Sequence, residues 1–308
     1  MKKVISIAVS VIAFFVIFYF SMWFFLGQIP VLKIKPYVTP LADTLNNIDN
    51  FPAVFNKLDK QFVVDFNTHA SKQDKVNSSS KGFYRTIKTI FNDYQTTLLD
   101  WNSYNDEKKL TIIFDFWGNF LELALSRAQY SSKTVPLGAM KELLLSYINA
   151  YKSKLSIIEN LPDDLYGDIE NTYRTCASLI DGRDVILKGY LKSGDVRKIK
   201  IVCEAVKNQS IKEMKDDLAN LFKTTQDESL KMVLAQALLT IKYANPEFDQ
   251  YVLNELKKQL NSGEYYDFLS LVGSSGNKAY IKPLEEMLPS FSADIQESLK
   301  NAVLKLKG

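Results

Sequence analysis

The sequence predicts an all-α protein: an N-terminal transmembrane helix, then a helical body ending in a short array of repeated helix pairs. Three observations predict it. From Thr39 onward apolar residues recur at i, i+3 and i+4 spacing, and no convincing period-2 strand appears in the body. Ahead of the body lies an uncharged apolar run, Val4 to Leu26. In the last third, similar helical segments return at intervals of about 31–35 residues, the range of stacked helical repeats.

The apolar run reads VISIAVSVIAFFVIFYFSMWFFL and follows Lys2 and Lys3. At about 1.5 Å per residue it spans roughly 34 Å, against a bilayer core of about 30 Å. Tyr19 and Trp23 lie toward its far end, where amphipathic rings favour the interface. The alternative is a cleaved secretory signal, whose apolar region runs about 7–15 residues and ends in small residues. This run is longer and ends WFFLGQIP, with no small-residue cleavage pattern. Cations before the run favour a cytoplasmic amino terminus, although Lys33 and Lys35 weaken the bias. The expectation is a cytoplasmic tail at 1–3 and a single-pass anchor at 4–26 in the inner (plasma) membrane, with the body periplasmic.

Residues 27–40 alternate apolar with polar and are broken by prolines, so they read as an extended linker. A helical domain over 41–193 follows. Its helices are expected at Leu41–Ile48, Pro52–Phe66, Phe83–Leu99, Asn105–Gln129, Leu137–Asn160, Asp164–Ile180 and Arg183–Leu191, with a polar loop at Thr68–Lys81. The helix from Asn105 is unusually apolar. At about 100° per residue, Asp115, Asn119, Glu122 and Ser126 form a narrow polar stripe. Ile113, Phe114, Trp117, Phe120, Leu121 and Ala124 fill an arc of roughly 220°, so neighbours should cover this helix on most sides.

From residue 194 the segments KIKIVCEAV (Lys198–Val206), LKMVLAQAL (Leu230–Leu238), YYDFLSLVG (Tyr265–Gly273) and QESLKNAVL (Gln296–Leu304) take similar places. Between them, Ile211, Met214 and Leu218 share a pattern with Leu253, Leu256 and Leu260, and with Ile281, Leu284 and Leu288. Ser210 with Glu213, and Thr225 with Glu228, have capping-box form; Asn245-Pro246 is a cap followed by a first-turn proline. Residues 194–308 thus resemble a HEAT-like α-solenoid. The stretch DVRKIKIVCEAV (Asp195–Val206) is similar to that family's first helix, where Asp and Arg often precede an alanine-rich run. Bulky residues replace most of those alanines here, and the second helices are irregularly spaced, so a non-repetitive bundle stays open. YYDFLSLVG is also similar to the FDYFLSALG core of membrane-anchored lipase foldases. The arginine preceding that motif is absent, and the stretch lies near the carboxyl end rather than near the start of the folded part.

Chemistry is thinly signalled. The formal net charge is +3. Lys2 and Lys3 carry two of those charges, which leaves the remainder near balance and gives no case for nucleic acid. His69 is the only histidine, in FNTHASK at an expected helix end where a histidine usually tops the last turn, so a multi-histidine metal site has no residues to draw on and a serine triad is effectively excluded. No phosphate-binding, dinucleotide or nucleophile-elbow motif occurs, and VGSSGNK (Val272–Lys278) reads as an inter-helix turn. No cofactor or metal is expected. Cys176 and Cys203 sit in apolar helical settings and read as small buried hydrophobes; whether they pair is open. Asp115 and Glu122 share a helix face about 10.5 Å apart, the one candidate carboxylate pair, and a solvated stripe is the plainer reading. The expected function is a protein-binding scaffold or adaptor of the cell envelope, with the membrane and another protein as partners. The alternatives are a carboxylate-dependent, glycan-acting enzyme and an anchored chaperone or assembly factor.

Overall fold

The computed structural model describes residues 31–71, 78–128, 138–258 and 263–308. Among them every regular element is a helix, joined in places by short 3-10 segments. The chain divides into two compact units, Met1–Arg183 and Asp184–Gly308, ahead of the boundary expected after residue 193. At the division Gly182 has φ +94 and separates helices Asp163–Asp181 and Arg183–Lys192.

Three expectations are corrected. The expected transmembrane helix, 4–26, lies outside the described residues, and among those described no helix is long and apolar enough to cross a membrane. Even the apolar helix Asp106–Ala128 carries Asp115 and Glu122 mid-length, with Asp106, Glu107, Lys108, Lys109 and Arg127 toward its ends. Such charges are costly in a bilayer core. Among the described residues the fold class is all-α with no spanning helix, so the expectation of a single-pass inner-membrane protein with a periplasmic body is withdrawn.

The second correction concerns the linker. Residues 31–44 form a helix, α1, in place of an extended segment. Pro36 and Pro40 have no N–H to give to the carbonyls four residues back. Packing overrides that loss: Val31, Ile34, Tyr37, Val38, Leu41 and Leu45 are buried along one stripe. The third is the loop at Thr68–Lys81. Helices α2 (Phe51–Ser71) and α3 (Ser78–Gln95) extend into it from both sides, because Phe83, Tyr84 and Ile87 bury the first turns of α3.

Unit 1 is built around α4 (Asp106–Ala128). Ile113, Phe114, Phe116, Trp117, Phe120, Leu121 and Ala124 are at most 1% exposed, so the broad apolar arc is covered as its width requires. One side meets α1, α2 and α3 through aromatic rings. Phe116 lies 5.1–5.7 Å from the ring centres of Phe51, Phe55, Phe91, Tyr94 and Phe120, mostly edge to face. Such pairs contribute about 0.5–1.5 kcal/mol each beyond their buried area. The other side meets α5 (Ala139–Ser153) and α7 (Asp163–Asp181), with a short α6 (Leu155–Ile158) between them. Phe114 and Trp117 both reach Tyr147 of α5 at 5.4 Å. Gly118 lets α7 approach: a β-carbon there would stand 3.2 Å from Thr172 Oγ1. Tyr37 stacks on Phe120 and donates its hydroxyl to Asp65 at 2.7 Å, which fastens α1 to α2 and α4.

Unit 2 begins with α8 (Arg183–Lys192) and continues as α9 (Val196–Gln209), α10 (Lys215–Thr224), α11 (Glu228–Thr240), α12 (Pro246–Lys257), α13 (Gly263–Ser274), α14 (Ile281–Met287) and α15 (Ala293–Lys307). Alternate helices pack in sequence: α9 on α11, α11 on α13 and α13 on α15. They run parallel. Lys207 near the end of α9 donates to Gln236 near the end of α11 (3.4 Å), and Gly273 near the end of α13 meets Ala302 of α15. The stripe Ile199, Val202, Cys203, Val206 is buried in α9, and Tyr265, Phe268, Leu269, Val272 take the same spacing in α13.

The caps follow the same rhythm, though not at the residues the sequence suggested. Asp195 caps α9, accepting from the Arg197 N–H at 2.8 Å, and Asp227 caps α11, accepting from the Leu230 N–H at 3.1 Å. Ser210 and Thr225 instead close the preceding helices; Asp227 stands nearer the start of α11 than Thr225, and the turn after Ser210 begins with no side-chain cap. Asn245 caps α12 as expected. The turns leaving α9, α11 and α13 each contain a left-handed residue: Ser210 (φ 51), Lys242 (φ 59) and Gly276 (φ 73). At Lys242 the Tyr243 N–H reaches Leu238 O (2.9 Å) and the Lys242 N–H reaches Leu239 O (3.0 Å), a Schellman closure.

Candidate functional site

The polar stripe on α4 is where the sequence placed carboxylate chemistry. Asp115 and Glu122 are exposed, Asn119 half-buried and Ser126 exposed. The structure adds Tyr94, from the last turn of α3. Its hydroxyl donates to Asp115, and Asn119 Nδ2 donates to that hydroxyl (2.9 Å) and to the Asp115 carbonyl (2.9 Å). Burial, reinforced by the bond to Asp115, pushes the Tyr94 phenol well above its ordinary value. Tyr94 therefore stays protonated and serves as a donor. Glu122 stands two turns further along α4 and takes no part in this hydrogen-bonded group. The place of Tyr94 beside Asp115 comes from the docking of α3 on α4.

In unit 2 the second helices present a different surface. A row of rings joins α10 to α12: Tyr243 to Phe248 (5.2 Å), Phe248 to Phe222 (5.2 Å) and Phe222 to Tyr251 (5.0 Å), each edge to face. A lysine ammonium closes each end, Lys215 over Tyr243 at 5.6 Å and Lys231 over Tyr251 at 5.5 Å. Beside Tyr251, Glu255 is buried and accepts from Lys258. Burial, then the charges of Glu255 and Glu228, push the Tyr251 phenol upward. Tyr280 donates to Asp249 at 2.6 Å and ties the start of α14 to the first turn of α12. Outward from this row, Asp216, Asn220 and Lys223 on α10, and Glu247, Gln250, Asn254 and Lys257 on α12, are exposed. Acid, amide and cation follow one another along both helices in the order the helix dipole favours. The result is a polar face on a rigid aromatic backing.

Other singled-out residues are placed as follows. Cys176 and Cys203 are free and buried, and burial pushes both thiols up to about 12. His69 falls in the last turn of α2, and its side chain lies outside the described residues. Val272–Lys278 spans the end of α13 and the turn after it, with Asn277 capping the 3-10 turn that follows. Among the described residues no group of three or more His, Cys, Asp and Glu side chains is arranged to hold a metal. No family of known proteins, no curated protein and no solved structure matches the chain.

Proposed function

We propose that this protein is a protein-binding scaffold, and that unit 2 is a short HEAT-like solenoid that provides the binding surface. The observation that carries the reading is the packing of alternate helices in sequence, α9 on α11, α11 on α13 and α13 on α15, with a left-handed turn after each of the first three. Helix pairs stacked in this way contact only their neighbours and expose a long surface, and binding through it requires no catalytic residues. The exposed Asn220, Gln250 and Asn254 suit the reading, since amides offer both donors and acceptors to a partner.

The test is site-specific photo-crosslinking of the full chain in cells, from a photoreactive residue at Asn220, Gln250 or Asn254. Discrete adducts with one protein partner are expected, lost when neighbouring exposed positions are replaced by large acidic or aromatic side chains. A folded protein that gives no adduct from any of the three positions overturns the reading.

A further inference from the structure

We propose that the edge of unit 2 formed by the turns after α9, α11 and α13 docks an extended acidic segment of a partner protein, through Lys212, Lys242 and Lys278. This rests on the reading of unit 2 as a protein-binding surface and names the face and the partner chemistry. The three turns lie side by side. Lys215 reaches over Tyr243, which joins the first turn to the second, and Tyr280 bonds Asp249, which joins the third to the start of α12.

Each of the three lysines occupies a backbone position that disfavours it. Lys242 takes the left-handed conformation at φ 59, where the equivalent residue after α13 is Gly276. Lys212 and Lys278 open the 3-10 turns that lead into α10 and α14. A cation there faces the positive end of the coming helix, the wrong sign for the dipole. All three side chains are exposed, and among the described residues none of them forms an ion pair. Neighbouring cations are already matched: Lys207 by Glu204 at 3.2 Å and Lys307 by Glu285 at 2.7 Å. Glu213 follows Lys212 within its 3-10 turn and Glu247 stands in the first turn of α12, and among the described residues neither forms an ion pair with these lysines. Three charges that break local preference without an internal partner are what a surface kept for an external anion would show.

Spacing sets the register. Packed helices lie about 8–10 Å apart, and an extended chain advances about 3.3 Å per residue. Acids about three residues apart therefore meet lysines on successive turns.

The experiment uses the full chain and a fluorescein-labelled peptide with glutamate at every third position, followed by anisotropy against its glutamine twin. Wild type should prefer the glutamate peptide, and the preference should fall with added salt. The triple variant K212E/K242E/K278E should lose about tenfold in affinity, a loss not shared by K188E/K192E on α8. Lys242→Gly separates binding from folding: it should raise the thermal midpoint and weaken the peptide, while Lys242→Arg keeps the affinity. Equal binding of the two peptides, or equal loss in the α8 control, overturns the proposal. Preference for phosphatidylserine vesicles over the peptide, lost in the same triple variant, overturns the assignment to a protein. Crosslinks from Asn220, Gln250 or Asn254 but not from Lys242 leave the scaffold reading intact and remove this edge; adducts from none of the four positions remove both.

Discussion

Gly273 sits against Ala302 so closely that a β-carbon on it would stand 2.9 Å from the Ala302 Cα and 3.1 Å from its Cβ. The obstacle is backbone, which cannot rotate aside as a long side chain can. Gly273→Ala gains about 1 kcal/mol of helix propensity. It sets against that an overpacking cost of about 1–3 kcal/mol or more. The expected outcome is net destabilisation of the α13–α15 contact, read as a lower urea midpoint for the unfolding transition of unit 2. An unchanged midpoint would mean that the two helices stand further apart in solution.

The caps of α9 and α11 should behave alike. Asp195→Ala and Asp227→Ala each leave helix-start N–H groups without their acceptor and should cost about 1 kcal/mol. The asparagine variants should cost much less, because asparagine offers the same acceptor oxygen. Equal losses from alanine and asparagine would show that charge rather than geometry is what matters there. Denaturant titration of the four single variants decides it.

Tyrosine–carboxylate pairs set an alkaline limit. Burial and the carboxylates raise the folded-state phenols of Tyr94 and Tyr280 above the ordinary 10.0. A raised folded value means that the native state holds its proton after the unfolded chain has lost it. The contribution is complete below the unfolded value and declines as pH rises through and beyond 10. Unfolding midpoints followed from mildly alkaline pH past that point should fall, and Tyr94→Phe with Tyr280→Phe should make the fall shallower. Parallel curves for the two proteins would contradict the assignment.

Neither thiol should react in the native protein. With both pushed up to about 12, almost no thiolate exists near neutral pH, and burial blocks the reagent. A disulfide-exchange reagent should label Cys176 and Cys203 only as fast as the surrounding helices open, and both promptly in denaturant. Rapid labelling in native buffer would place at least one sulfur at the surface.

How much was legible follows from range. The α4 stripe of Asp115, Asn119, Glu122 and Ser126 could be read because a single helix creates it and 3.6-residue periodicity reports it directly. Asp195 was visible at the opening of its segment, whereas at α11 the capping role went to Thr225 rather than Asp227, because a helix start is uncertain by a residue or two. Tyr94 beside Asp115 was not legible, since 21 residues separate them and only helix docking brings them together. Gly276 announces a left-handed turn by its residue type; Ser210 and Lys242 adopt the same conformation and do not. The prolines that made residues 27–40 read as extended are ordinary evidence against a helix, and a buried stripe outweighed them.

That stripe has a further consequence. Pro36 and Pro40 each remove a backbone bond from α1, and two threonine hydroxyls, Thr39 to Lys35 O and Thr44 to Pro40 O, cover nearby carbonyls at 2.8 Å. A segment so short of internal hydrogen bonds borrows its helicity from its neighbours. Cut free of Phe120, Asp65 and Glu142, which hold Tyr37 and Lys35, it has little reason to stay coiled. Its order is a reporter of unit 1 as a whole: while the aromatic core is assembled α1 is a helix, and when that core loosens α1 should lose its coil with it.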